Sequence, residues 1–299
     1  MGLFALPSDV GRQCEKPQVV GLATDTDSCA FSFFITQVSR GIRLTNLNTP
    51  MCNNYLAHFT TLSAFREMLT GTEDTSKMLL RGTVFNKMND GNESITLSKS
   101  FFNDSGIKKK LELEFDNWLE QAGLPYIISF SEANLGNGYK NIGQNIPMWL
   151  NYGQHGKGIV LVFDFQQTTI EGWELIKCEY VKSSDIKAIV KKLNQNKTNI
   201  STDDLNRLFV RVKNKEWEYE KEWRLFKNCP FPQAETYVRN DGAIVECAFA
   251  EIPIKCLSRI ILGNQLDEKT TMQSIDTLLS KKELANKPKI SRSKLNIQL

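Results

Sequence analysis

Tyr126-Ile127-Ile128-Ser129-Phe130-Ser131-Glu132 is the stretch on which the fold turns. Its aromatic and β-branched start reads as a strand. Strand side chains alternate between faces, so Ser129 and Ser131 share one face and Phe130 takes the other. Two hydroxyls on one face of a buried strand need hydrogen-bond partners. A strand that simply ends in a polar turn gives similar letters, so the neighbouring segments decide what this one means.

Working outward, similar short runs occur at Gly158–Phe163, Leu175–Val181, Glu222–Lys227, Ala243–Phe249 and Arg259–Leu262, with a further one at Phe31–Val38. They are rich in Ile, Val and aromatics, as strands are. Helical spacing marks Thr61–Leu69, where Leu62, Phe65, Met68 and Leu69 share a face and Gly71 can end the turn. Lys109–Gln121 repeats the pattern with Leu111, Phe115, Trp118 and Leu119. Asn145–Tyr152 is a short helix with Pro147 in its first turn. Ser184–Leu193 and Thr202–Val212 begin with capping residues, and Asp267–Leu279 is a last helix. Strands and helices do not alternate one for one. That predicts an α+β fold with antiparallel or mixed sheets rather than a doubly wound parallel sheet.

Three regions follow. Residues 1–50 read as an N-terminal elaboration packed on the core, 51–264 as the main domain, and 265–299 as a C-terminal helix and basic tail. Within the tail, Lys287, Lys289, Arg292 and Lys294 have no acidic neighbour through Leu299, which predicts a flexible, solvated segment.

With 299 residues and a net charge of +3, the chain can bury a large core and is not basic enough to be a nucleic-acid binder on charge alone. Its seven cysteines are odd in number, none is spaced Cys-x-x-Cys, and only two histidines are present. Zinc cages need close ligand pairs, so no metal is expected, and the thiols read as reduced ones of a cytoplasmic protein. The N-terminus lacks the basic start of a secretory signal, Leu6 stands where a myristoylation motif wants Ser or Thr, and Ala30–Ile35 is too short to span a bilayer. No membrane association is expected.

Four segments carry polar residues out of pattern. His58, in Tyr55-Leu56-Ala57-His58-Phe59-Thr60, ends an apolar stretch before a helix; a hydrogen-bonded core histidine is the plain alternative. Ser129 and Ser131 form the second. The third, Trp149-Leu150-Asn151-Tyr152-Gly153-Gln154-His155-Gly156-Lys157-Gly158, offers flat rings and close backbone approach. It is no Walker loop, because its spacing is wrong and no Ser or Thr follows Lys157. A structural glycine loop is the alternative. The fourth, Glu220-Lys221-Glu222-Trp223-Arg224, begins a strand with Glu220, Glu222 and Arg224 on one face. A carboxylate beside an arginine stays ionised. An edge strand of alternating charge is the alternative.

In this order the segments resemble a bacterial family described only as a domain of unknown function, whose members occur beside abortive-infection and phage-defence genes. The pieces are Tyr55 with His58-Phe59-Thr60, Phe85-Asn86 with Asn89-Asp90, Ser129-Phe130-Ser131-Glu132, Trp149 with Tyr152-Gly153, Gly156-Lys157-Gly158, Phe163-Asp164, Glu220 with Glu222-Trp223-Arg224, and Ile261-Leu262-Gly263. The order is also similar to the ADP-ribosyltransferase fold, a split pair of small mixed or antiparallel sheets with flanking helices. That resemblance implies an NAD-consuming transferase or glycohydrolase, serving as an anti-phage defence effector or toxin.

Carried over residue by residue, the resemblance makes Glu222 catalytic and turns Glu220 toward the nucleophile. His58 would orient the ribose, and Ser129 with Ser131 would lie near the nicotinamide. Trp149 or Tyr152 would stack a ring, and Arg224 or Lys157 would meet the pyrophosphate. The sequence departs from the pattern at Phe130, where Ser-Thr-Ser is usual. The resemblance further implies NAD as substrate, a nucleic-acid or protein acceptor, and a cognate antitoxin or defence partner. Two alternatives stand beside it. One is a non-catalytic module of the same fold that binds a nucleotide or phage component. The other is an RNA-end phosphoesterase with paired His-x-Thr motifs, of which His58-Phe59-Thr60 fits one copy and His155-Gly156-Lys157 fails the second.

Overall fold

The computed structural model describes residues 55–84, 124–133, 141–165, 168–182, 210–229, 235–238 and 244–295, together with Asp185, Arg207 and Gly242. The chain divides into units Met1–Leu44 and Thr45–Leu299, and every described residue belongs to the second. The expectations for residues 1–50, Lys109–Gln121 and most of Ser184–Leu193 and Thr202–Val212 lie outside the described residues.

Twelve strands and three α-helices are described. In chain order they are β1 (Tyr55–Thr60), α1 (Leu62–Thr70), β2 (Lys77–Val84), β3 (Leu124–Glu132), α2 (Ile146–Asn151), β4 (Ile159–Asp164), β5 (Glu174–Lys177), β6 (Glu179–Val181), β7 (Val212–Asn214), β8 (Glu222–Cys229), β9 (Glu235–Val238), β10 (Ile244–Pro253), β11 (Leu257–Leu262), α3 (Glu268–Leu279) and β12 (Lys289–Arg292). The helix starts are set by their caps. Thr61 Oγ1 accepts from the Ala64 amide at 3.0 Å, and Asp267 Oδ1 from the Thr270 amide at 2.8 Å. Asn145 caps α2 in the same way, with Pro147 in its first turn. No described helix is long and apolar enough to cross a membrane.

Ten strands join in one hydrogen-bonded sheet in the order β12-β11-β4-β1-β3-β2-β10-β9, with β8 on β3 and β5 on β8. Every pairing in it is antiparallel except β11 with β12. β6 and β7 form a separate parallel pair. The fold is therefore mixed α+β with a mostly antiparallel sheet.

β3 is where the sheet forks. Along one edge it pairs with β8 continuously, from Leu124 opposite Cys229 to Ser131 opposite Glu222. Its other edge is shared: β2 takes Tyr126 and Ile127, and β1 takes Ser131 and Glu132. Between these partners, Ile128, Ser129 and Phe130 pair with neither strand, and β1 and β2 diverge around them.

Phe130 shows why the fork is oriented as it is. Its ring meets Phe163 edge-on at 5.9 Å and Phe165 at 5.6 Å. The same buried cluster takes Phe65 and Leu69 from α1 and Ile275 and Leu279 from α3. Burying such a ring contributes about 1.5–3 kcal/mol, enough to fix the face of the strand. Ser129 and Ser131 are thereby turned away from the helices, as strand alternation requires.

The tail differs from its sequence reading. Lys289–Arg292 pairs parallel with Arg259–Leu262, the Arg292 guanidinium donates to the Asn264 carbonyl at 2.6 Å, and the buried Ser293 hydroxyl donates to the Gly143 carbonyl. The backbone ladder, not the basic side chains, recruits this segment. Leu175–Val181 also differs, because it breaks at Cys178 into β5, which pairs with β8, and β6, which pairs with β7.

Candidate functional site

A cleft of about 360 Å³ opens in the fork. His58 of β1, Ser129 and Ser131 of β3, Tyr152 beyond α2, and Glu220 and Glu222 at the start of β8 all line it. Six of the nine candidate residues therefore converge from four distant segments. Volumes of this size suit a nucleoside-sized group.

His58 occupies the gap between the diverging strands. Its Nδ1 lies 2.9 Å from the Ser129 carbonyl oxygen, at a residue that neither β1 nor β2 pairs. A carbonyl only accepts, so Nδ1 carries the proton and the neutral ring keeps Nε2 as an acceptor. Burial pulls the imidazole pKa down, the Ser129 hydrogen bond opposes this, and the charge of Arg81 adds to the lowering. A folded-state pKa below the ordinary 6.5 leaves stability unaffected above that pH. As pH falls through it, the unfolded chain takes up a proton that folded His58 refuses, so stability drops. Urea unfolding at pH 7.5 and pH 5.5 is expected to show a smaller acid-induced loss for His58→Gln than for the wild-type protein. Equal losses would place the acid sensitivity elsewhere.

The carboxylates meet around a lysine that the sequence does not flag. Lys213 of β7 is 2 % exposed, and its ammonium donates to Glu220 Oε2 and, at 2.8 Å, to Glu222 Oε2. Arg224 adds a two-pronged contact to Glu222, Nε to Oε1 at 2.9 Å and Nη2 to Oε2 at 3.0 Å, while its Nη1 donates to the Val210 carbonyl at 2.7 Å. Tyr152 donates to Glu220 Oε1 at 2.7 Å. The Glu222 amide contacts the Tyr180 hydroxyl oxygen at 2.6 Å, and burial raises that phenol's pKa.

Glu220 lies outside the strand, contrary to the reading from alternation, because β8 starts only at Glu222. It ends a 3-10 turn over Lys215–Glu220, and Lys221 follows in the left-handed region at φ 45°. That kink, uncommon for a residue with a side chain, brings Glu220 and Glu222 to the same ammonium.

The two carboxyls are tuned apart. Burial acts to raise the Glu222 pKa, but the charges and hydrogen bonds of Arg224 and Lys213 outweigh it and hold the group at about 2. For Glu220 burial prevails over Lys213 and Tyr152, with help from the Glu222 charge, and its pKa is raised. A fixed anion thus stands beside a carboxyl able to exchange a proton nearer neutrality.

Three candidates lie outside the cleft lining. Trp149 is fully buried among Ala57, Val160, Val162 and Ile261, donates from Nε1 to the Gly143 carbonyl at 3.1 Å, and meets Phe59 edge-on; it is core, with no face for a ligand. Arg224 is committed to Glu222 and Val210. Lys157 is exposed on the glycine loop. That loop serves backbone packing: a Cβ on Gly263 would sit 2.0 Å from the Gly156 carbonyl oxygen, and Gly263 donates to the Gly158 carbonyl at 3.0 Å.

Residues 148–225 match the model of a family described as a protein of unknown function, DUF2971. No curated protein matches the chain, and no solved structure does. The matched span contains Tyr152, Lys213, Glu220 and Glu222, but not His58, Ser129 or Ser131. It is narrower than the stretch from Tyr55 to Gly263 over which the sequence resemblance runs. Among the described residues no group of three or more His, Cys, Asp or Glu is placed to hold a metal ion.

Proposed function

We propose that the fork cleft of an ADP-ribosyltransferase-like domain binds NAD, breaks its nicotinamide–ribose bond and passes the ADP-ribosyl group to water or to a macromolecular acceptor. The observation that carries the reading is the meeting of β1 His58, β3 Ser129 and Ser131, and the β8 Glu220–Glu222 pair in one cleft. In the reaction, the bond's electron pair leaves with nicotinamide, which becomes neutral. The ribose carbon becomes oxocarbenium-like, and an acceptor O–H adds to it and releases its proton. Glu222, held ionised, supplies negative charge beside the developing cation. Glu220, with its raised pKa, takes the acceptor's proton. His58 Nε2 accepts from a ribose hydroxyl. The role in anti-phage defence or as a toxin rests on the sequence resemblance.

Incubating the purified protein with NAD, with and without nucleic-acid and protein acceptors, and following products by mass spectrometry tests this. Nicotinamide release is expected, with free ADP-ribose or an ADP-ribosylated acceptor in equal amount. Absence of nicotinamide under every acceptor mixture would remove the enzymatic reading.

One observation favours a non-catalytic nucleotide module as the second reading. All four oxygens of Glu220 and Glu222 already accept a donor within the protein. Such a module would bind NAD and leave it intact. The phosphoesterase alternative gains no support, since His155 is exposed and outside the cleft lining.

A further inference from the structure

The cleft is also lined from β2, β9 and β10, by Arg81, Thr83, Tyr237 and Val245. On β2, burial alternates along Lys77–Val84, so Arg81 and Thr83 face the cleft while Met78 and Leu80 enter the core. Tyr237 of β9 pairs with Val245 of β10, and both reach the same cleft. The Arg81 guanidinium carbon lies 3.3 Å from the centre of the Tyr237 ring. Both residues are half-buried. Among the described residues, Arg81 makes no ion pair.

That combination is unusual in chemical terms. A guanidinium withdrawn from water normally finds a carboxylate. Here the ring takes one face of the guanidinium, and among the described residues its N–H groups meet no carboxylate. Planar donors held in this way match a phosphate better than a mobile ammonium does. The charge balance agrees. Lys213 and Arg224 are answered by Glu222 and Glu220, which leaves Arg81 as the unanswered cation of the cleft lining among the described residues. Its charge also reaches across the fork, since it contributes to lowering the pKa of His58.

We infer that Arg81, laid flat on Tyr237, is the anion-binding half of the cleft and takes the pyrophosphate of a dinucleotide whose reacting sugar lies toward His58 and the carboxylates. The choice of a dinucleotide rests on the NAD reading above; the anion site itself does not. Arg81 is a binding and positioning residue, and Tyr237 acts through it by fixing the guanidinium plane.

Calorimetric titration of the full chain with inorganic pyrophosphate, ADP-ribose and nicotinamide riboside, which carries no phosphate, tests the assignment. Arg81→Met is expected to weaken pyrophosphate and ADP-ribose roughly ten- to a hundredfold, the usual scale for losing a charged hydrogen-bonding partner. Arg81→Lys should recover part of the loss, Tyr237→Leu should cost a few-fold, and riboside affinity should stay within about twofold throughout. Circular dichroism and an unfolding curve on each variant confirm that folded protein is being compared. The inference is overturned if wild-type protein binds neither phosphate probe, if Arg81→Met leaves ADP-ribose affinity unchanged, or if the riboside weakens equally. Nicotinamide release is scored separately. Arg81-dependent pyrophosphate binding without release retains the anion site and removes NAD cleavage, whereas release with Arg81-independent binding does the reverse.

Discussion

Lys213→Met is expected to destabilise the fold by about 3–5 kcal/mol at neutral pH, the scale for stripping one partner from a buried ion pair. Lys213 separates two carboxylates that are each 3 % exposed, and its ammonium bonds both. A methionine of similar length keeps the packing and removes the charge, leaving Glu220 and Glu222 to face each other with Arg224 as the remaining described cation. The loss should depend on pH with a definite sign. Glu220, whose folded pKa is already raised, rises further, so the variant is penalised most at high pH and recovers as pH falls and Glu220 takes up a proton. Glu222 behaves oppositely in the wild-type protein. Its depressed pKa contributes stability above the ordinary 4.5, and that contribution is lost as pH falls toward about 2. Chemical unfolding of both proteins from pH 5 to pH 8 reads the difference. A gap that stays constant across this range would mean that the lysine acts by packing.

Much of this site was legible in the sequence because it sits at element ends with strong local signals. Thr61, Asn145 and Asp267 mark helix starts through their side chains, and all three cap as their position suggests. Ser129 and Ser131 follow from strand alternation once Phe130 is given to the core. Trp149 was misread because an aromatic beside glycines looks the same whether it faces a ligand or fills a core. Here Gly153 makes room for it, since a Cβ there would lie 2.4 Å from the indole. Lys213 could not be found from spacing. β7 is three residues long, and a buried lysine becomes explicable only when the two carboxylates it answers are known to be close. Arg81 was hidden similarly, in a strand whose alternation reads as ordinary amphipathicity. Its partner ring arrives from β9, more than 150 positions along the chain. β12 was missed because a ladder is a property of backbones, and a run of basic residues gives no hint of the neighbour at Arg259–Leu262.

Glu222→Gln is expected to lower NAD turnover by a hundredfold or more, measured per folded molecule, while NAD affinity changes only a few-fold. The basis is the difference between ground and transition states. A fixed charge beside the ribose matters most when the sugar becomes cationic, so its removal should appear in kcat rather than KM. The arrangement around Glu222 adds a cost in stability. Its Oε1 receives Arg224 Nε, and its Oε2 receives both Arg224 Nη2 and Lys213 Nζ. An amide turns one of these acceptors into a donor, so either the guanidinium or the ammonium meets an N–H group, and a lower melting temperature is expected. Glu220→Gln separates the two effects. The amide oxygen can keep either Tyr152 or Lys213 and its N–H group then meets the other, but the two-pronged Arg224 pairing is untouched, so the fold should suffer less than in Glu222→Gln. Its expected defect lies in transfer to the acceptor: the acid limb of the pH profile, set by the raised Glu220 pKa, should disappear while slow nicotinamide release persists. Nicotinamide release, NAD affinity and thermal stability on the same two variants decide the matter. If Glu222→Gln melts lower yet turns NAD over at the wild-type rate per folded molecule, the carboxylate is a structural counter-ion for Arg224 and Lys213. The chemistry would then have to be sought at Glu220.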